Sequence, residues 1–229
     1  MRIAIIGAME EEVQLLRAQL TERQTDHLAG FEFYVGKLAG KDVVVLRSGI
    51  GKVNAAVSTT LLLNHYDISA VINTGSAGGV NQSLNVGDIV IATETTYHDV
   101  DATHFGYVHG QVPQMPAHYL SDQTLVQAAQ QALATTAFHA VTGVIATGDS
   151  FIGREEQITA IVERQPVLSA VEMEAGAVAQ VCHIFNKPFV IVRSISDVAG
   201  KESHLSFEQF LPLAVEQSTS MIMAMLPLV

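Results

Sequence analysis

Arg2-Ile3-Ala4-Ile5-Ile6-Gly7 is an almost unbroken apolar run, and after Ala8-Met9 comes Glu10-Glu11-Glu12-Val13-Gln14-Leu15-Leu16-Arg17-Ala18-Gln19-Leu20. Nothing from Arg2 to Ile6 alternates polar with apolar, so the run reads as a strand buried on both faces and ended by Gly7. Glu10 to Leu20 reads as a helix. Val13, Leu16 and Leu20 fall on one face, and three acids fill the first turn, where the helix dipole favours them. A buried strand passing directly into an amphipathic helix is the unit of an α/β fold.

The same alternation continues along the chain. Phe31 to Val35 and Val43 to Arg47 flank the short polar connection Lys37-Leu38-Ala39-Gly40-Lys41 and read as a hairpin. Further strands are expected at Ala70–Asn73, Ile89–Thr93, Ala140–Ala146, Ser169–Glu172 and Pro188–Ser194. Helices are expected at Val53–His65, Asp122–Leu133, Arg154–Val162, Ala175–Phe185 and Phe207–Met225. Strands alternating with helices predict a mostly parallel sheet covered on both faces, a three-layer α/β architecture, and the hairpin makes that sheet mixed. No composition shift, linker or repeat interrupts the chain, which predicts one domain over residues 1–229. Tyr97 to Leu120 breaks the rhythm. It has no periodicity and carries four of the 9 histidines with Phe105, Tyr107, Pro113 and Pro116, so it reads as an ordered binding loop.

Composition narrows the function. Hydrophobic residues make up 48% of the 229 and charged residues only 15%, which excludes disorder and demands an extensive core. The net charge of −11 (12 basic against 23 acidic) argues against a nucleic-acid partner, which needs a basic footprint. A small-molecule partner is expected instead. The single cysteine, Cys182, permits no intrachain disulfide and no thiolate cluster, and it reads as a buried, inert thiol. The apolar start runs into Glu10 within nine residues, so it does not read as a signal peptide. No apolar run approaches the ~18 residues of a membrane helix. A cytoplasmic protein without membrane attachment is expected.

Ligands of open α/β sheets bind beyond the carboxyl ends of the strands. Those ends carry Met9 and Glu12, then Ser48-Gly49-Ile50-Gly51, Thr74-Gly75-Ser76-Ala77-Gly78-Gly79, Gly148-Asp149-Ser150-Phe151, Glu172-Met173-Glu174 and Ser194-Ile195-Ser196-Asp197. Glu12, Glu174, Asp197, Ser76 and Arg193 are thereby directed to one edge. Each also has a plain reading. Glu10 to Glu12 fit helix N-terminal charges, and the Thr74–Gly79 run fits a tight turn. One of Glu172 and Glu174 fits a structural carboxylate, and Asp197 fits the cap of a following turn. Gly49-Ile50-Gly51-Lys52 lacks the pattern of a triphosphate-binding or dinucleotide-binding loop. His98, Asp99, Asp101, His104 and His109 match no established metal-ligand spacing, so neither a metal nor a cofactor is expected.

Taken in order, five segments resemble a known family: Ile5-Ile6-Gly7-Ala8-Met9-Glu10-Glu11-Glu12, Ser48-Gly49-Ile50-Gly51-Lys52-Val53-Asn54-Ala55-Ala56, Asn73-Thr74-Gly75-Ser76-Ala77-Gly78-Gly79, Val171-Glu172-Met173-Glu174-Ala175 and Arg193-Ser194-Ile195-Ser196-Asp197. They are similar to the bacterial 5′-methylthioadenosine/S-adenosylhomocysteine nucleosidases of the purine nucleoside phosphorylase superfamily. The resemblance runs from Met1 to the last helix. It implies a single α/β domain around a mixed, partly barrel-like sheet, a homodimer, and hydrolysis of a nucleoside N-glycosidic bond without a cofactor. It further implies Asp197 as the acid at adenine N7, beside Ser196, and Glu12 as the residue that activates water. Glu174 and Met173 would hold the ribose, with Ser76 and Arg193 near water and sugar. Phe151 would stack on adenine and the backbone of Ile152 would read its edge. Met9, Ile50 and Phe207 would line the alkylthio pocket, joined by Phe105 and Pro113 from a second subunit. Ala102 departs from the larger aliphatic of the family pattern. Gly153-Arg154-Glu155-Glu156 and Gly200-Lys201-Glu202 carry no match.

The residue types suit that chemistry. Breaking the C1′–N9 bond builds cationic charge on the sugar and negative charge on the departing base. An acid at the base, a carboxylate for the water and hydroxyl contacts at the ribose all answer that charge.

Overall fold

Successive residues of the first strand enter opposite cores. Ile3 and Ile5 pack in one hydrophobic cluster, and Ala4 and Ile6 in another on the far face of the sheet. Val43 and Val45 against Val44 and Leu46 repeat the division, as do Ala70 and Ile72 against Val71. That two-sided burial is why these strands are continuous apolar runs.

The computed structural model describes residues 1–81, 83–198 and 203–229, with side chains in the last span from Phe207 onward. In chain order the elements are β1 (Arg2–Gly7), α1 (Glu10–Ala18), β2 (Thr21–Leu28), β3 (Phe31–Leu38), β4 (Lys41–Arg47), α2 (Lys52–His65), β5 (Ile68–Gly79), β6 (Ile89–Tyr97), β7 (Tyr119–Leu120), α3 (Gln123–Leu133), β8 (Ala140–Thr147), α4 (Glu155–Arg164), β9 (Leu168–Glu172), α5 (Ala175–Ile184), β10 (Phe189–Val198) and α6 (Ser203–Met225). All strands belong to one 10-stranded sheet of order β10-β6-β8-β9-β5-β1-β4-β3-β2, with β7 on β6 and a further pairing of β10 with β5. That last pairing closes β5, β10, β6, β8 and β9 into a ring, from which β1, β4, β3 and β2 extend as an open sheet. Helices α2 and α5 cover one face and α1, α3 and α6 the other. The expected mixed, partly barrel-like α/β fold is therefore the one observed.

Five local features differ from the sequence reading. Thr21–Leu28 forms β2, an edge strand paired antiparallel to β3. Its residues are almost all exposed, so it lacks the apolar alternation that reveals a half-buried strand. Its charged residues suit an edge that must not recruit a second chain. The Thr74–Gly79 segment is the second half of β5, paired with β10 through Val198↔Gly79, and is not a turn following the strand. Likewise β10 continues past Ser194, so Asp197 lies within a strand. The 97–120 segment holds a 3₁₀ turn at Thr103–Phe105 and the short β7. Helix α6 starts at Ser203, upstream of the expected Phe207, and Gly200-Lys201-Glu202 lies outside the described residues.

Candidate active site

Glu12 is the third residue of α1, and its side chain turns back to the helix start. Oε2 accepts hydrogen bonds from the amides of Ala8 (2.7 Å) and Met9 (3.1 Å). This is one half of a capping box, with the acid at N3 satisfying free amides at the helix entrance. Oε1 accepts from the amide (2.9 Å) and the hydroxyl (3.0 Å) of Ser76 on β5. Glu12 is thus 1% exposed and held from two elements, whereas Glu10 pairs outward with Arg17 and Arg47. The approach depends on Gly75. A Cβ there would lie 2.5 Å from Glu12 Oε1 and 2.6 Å from Arg193 Nη1, at a φ of +142°. Only glycine lets the strand and the carboxylate come so close.

Asp197 owes its direction to a bulge. In the β10–β5 ladder Ile195 pairs with Ala77 and Asp197 with Gly78, so Ser196 is the extra residue. Such an insertion re-aims the following side chain. Ser196 Oγ donates to Asp197 Oδ1 at 2.9 Å, while Oδ2 is buried and has no hydrogen-bond partner among the described residues. Burial pushes the Asp197 carboxyl above its ordinary range, and the Ser196 hydroxyl only partly opposes this.

Two further carboxylates stand at and just after the end of β9. Glu172 Oε2 accepts from the amides of Glu174 and Ala175, both at 2.8 Å, and from Arg193 Nη2 at 2.5 Å. Its other oxygen is held by the Thr147 hydroxyl. Glu172 is therefore the structural carboxylate of the two. Glu174 keeps fewer partners, the amide of Gly51 at 2.8 Å and Arg193 Nη2 at 3.6 Å. Burial, reinforced by repulsion from Glu172, pushes its carboxyl up to about 8 against the pull of Arg193. Arg193 is fully buried, and its Nη1 and Nη2 are committed. Beyond Glu172 it donates to Asn73 Oδ1 at 2.9 Å and to the carbonyls of Thr74 and Ser76, both at 3.4 Å.

These groups surround a cavity of about 280 Å³. Met9, Glu12, Ile50, Ser76, Phe151, Ile152, Met173, Glu174, Ser196, Asp197 and Phe207 all line it. The Phe151 and Phe207 rings meet edge to face with centroids 5.8 Å apart. No lysine or arginine is in the lining among the described residues.

The profile of the phosphorylase superfamily matches residues 2–227 of this sequence. A 5′-methylthioadenosine/S-adenosylhomocysteine nucleosidase of Bacillus thuringiensis is 55% identical over 227 residues, 99% of this chain and 98% of that protein. The chain belongs to this nucleosidase family. Solved structures agree. The nucleosidase of Colwellia psychrerythraea in complex with adenine superposes with a TM-score of 0.98 at 46% identity, covering 100% of this chain and 95% of that one. The Neisseria meningitidis nucleosidase in complex with methylthio-immucillin-A gives 0.96 at 46% identity, covering 98% of each chain.

Within this family member, three of the residues singled out in the sequence lie away from the cavity lining. Arg193 stands behind it, gripping Glu172. Phe105 is 77% exposed and Pro113 is also exposed, both on the 97–120 segment. Glu172 itself was legible only as one of two alternatives, and its spacing of two residues from Glu174 was the signal available. The amide of Gly51 left no such signal, because a backbone donor has no residue type. Asp99 and Asp101, whose spacing matched no metal-ligand pattern, bind Lys52 and the start of the 3₁₀ turn. Among the described residues no helix is long and apolar enough to cross a membrane.

Proposed function

We propose that this chain, acting as one domain over 1–229, hydrolyses the N-glycosidic bond of 5′-methylthioadenosine, S-adenosylhomocysteine and 5′-deoxyadenosine. The first two yield adenine and a 5-thioribose product, methylthioribose or S-ribosylhomocysteine. Asp197 is the general acid. Its buried carboxyl retains a proton to deliver to adenine N7, and Ser196 orients it. Glu12 positions the water and accepts its proton as oxygen bonds to C1′. Glu174 and Met173 hold the ribose hydroxyls, with Ser76 beside them, and Arg193 serves by fixing Glu172 behind Glu174. Phe151 stacks on adenine and Ile152 presents its backbone to the base edge. Met9, Ile50 and Phe207 form the alkylthio pocket, completed by Phe105 and Pro113 of a second copy in a homodimer. The reaction takes no metal or cofactor, and the protein works in the cytoplasm.

The observation that carries water over phosphate as acceptor is the sign of the cavity. Glu12, Glu172, Glu174 and Asp197 all line it, and the nearest guanidinium is spent on Glu172, Asn73 and two carbonyls. A phosphate dianion would meet acids and, among the described residues, no free cation. Adenine release from methylthioadenosine, followed with and without phosphate, tests this. Equal rates and free methylthioribose are expected. A phosphate-dependent rate, or methylthioribose 1-phosphate as product, would overturn it.

A further inference from the structure

Outside the cavity, three charged side chains join segments that are far apart in sequence. Lys52 opens α2, and its Nζ donates to both oxygens of Asp99, at 2.8 and 2.7 Å. Asp99 Oδ2 also accepts the amide of Asp149 at 2.9 Å, and Asp149 Oδ1 accepts the amide of Lys52 at 2.8 Å. The circuit therefore closes on itself. Lys52 and Asp99 side chains are only 23% and 28% exposed, and Lys52 Nζ lies 5.4 Å from the centre of the Tyr97 ring. Burial opposes the charge on Asp99, yet hydrogen bonds from Lys52 and the Asp149 amide outweigh it and hold its carboxyl below the usual range.

Both ends of this circuit touch the site. Gly51, immediately before Lys52, donates its amide to Glu174, and Asp149 is two residues before Phe151 in the cavity wall. Gly51 has a φ of +93°, and a Cβ there would lie 3.1 Å from Asp149 Oδ1. Gly51 therefore lies directly against the Asp149 carboxylate, with little room for a side chain between them.

We propose that Lys52, Asp99 and Asp149 are positioning residues, a latch that aims the Gly51 amide at Glu174 and sets the Phe151 wall in register with it. This rests on the reading of Glu174 as the ribose carboxylate. Asp149 Oδ1 neutralises an unpaired amide at the start of α2, and Asp99 with Lys52 ties that start to the loop carrying Phe151. The ribose and base halves of the cavity are then held as one unit. The groups facing Glu174 are Glu172 from β9, Arg193 from β10, Glu12 from α1 and the Gly51 amide. Only the last is under the latch's control. Loosening it removes a donor to the ionised carboxylate, so the titration of Glu174 moves to higher pH.

The test is steady-state hydrolysis of methylthioadenosine by Asp149→Ala, Asp149→Asn, Lys52→Met and Glu174→Gln across the pH range in which Glu174 titrates. Asp149→Ala should raise KM about three- to tenfold, the worth of one hydrogen bond, with a smaller change in kcat. The limb on which kcat/KM rises with pH as Glu174 ionises should shift to higher pH. Asp149→Asn keeps an oxygen for the Lys52 amide and should restore most of the affinity. Asp149 is exposed, so truncation should spare the fold, and Lys52→Met carries the same expectation from the other side of the circuit. Wild-type KM and pH profile in Asp149→Ala and Lys52→Met, with a raised KM in Glu174→Gln, would overturn the latch and leave the ribose reading standing. A silent Glu174→Gln would remove that reading and the latch with it.

Discussion

Replacing Asp197 by Asn separates the proton from the shape that holds it. The amide matches the carboxyl in size, and its oxygen can keep accepting from Ser196 Oγ, now 2.9 Å from Oδ1. Its nitrogen would stand where Oδ2 stands, which has no partner among the described residues, able to donate a hydrogen bond to N7 and unable to release a proton. General acid catalysis contributes roughly 10²–10⁴-fold, or about 2.7–5.4 kcal/mol of transition-state stabilisation. The loss should fall on kcat, with KM near wild type, because ground-state contacts survive. Stability should move the other way. Burial raises the folded-state pKa of Asp197, so the folded protein binds this proton more tightly than the unfolded chain does. That contribution is complete below the unfolded pKa and disappears as pH rises through the folded one. An amide has no proton to lose, so Asp197→Asn should be at least as stable as wild type at alkaline pH. Adenine release measured by chromatography, beside thermal unfolding at several pH values, checks both halves. Turnover within a few-fold of wild type, in a folded variant, would refute Asp197 as the acid.

Arg193→Met would leave Glu172 buried without its cation, and breaking such a pair costs about 3–5 kcal/mol; urea denaturation should show a matching fall in midpoint. Glu174, pushed up to about 8 by burial and Glu172, should make wild-type stability fall as pH rises from the unfolded value toward about 8, and Glu174→Gln should flatten that slope in thermal melts. A homodimer should sediment at about twice the chain mass at micromolar concentration, since obligate interfaces commonly bury more than ~2,000 Å² and Phe105, Val53 and Leu120 stand exposed on this chain. An active monomer would contradict the shared pocket.

The single-residue alphabet carried much of this protein. The apolar runs at Arg2–Gly7 and Val43–Arg47 are strands because both faces are buried, and the spacing of Val13 and Leu16 marks α1 for the same reason. The five glycine- and acid-bearing segments placed eight of the proposed residues on one cavity. What lay beyond reach depended on partners distant in the chain. Thr21–Leu28 is a strand only because β3 offers an edge to it, and most of its own side chains face water. The ring closes only because β10 finds β5 more than a hundred residues upstream, a pairing no local pattern encodes. The bulge at Ser196 is a mismatch between two strands and exists in neither alone, yet it aims Asp197. Glu172 and Glu174 are the same residue type two positions apart. Arg193, Thr147 and two amides reach the first, and the cavity takes the second. Hydrophobic period is a property of one segment against water, so sequence alone marked the elements that bury a face. Hydrogen-bond pairing and charge burial are properties of segments against each other, so tertiary structure decided which carboxylate is fixed and which is free to act.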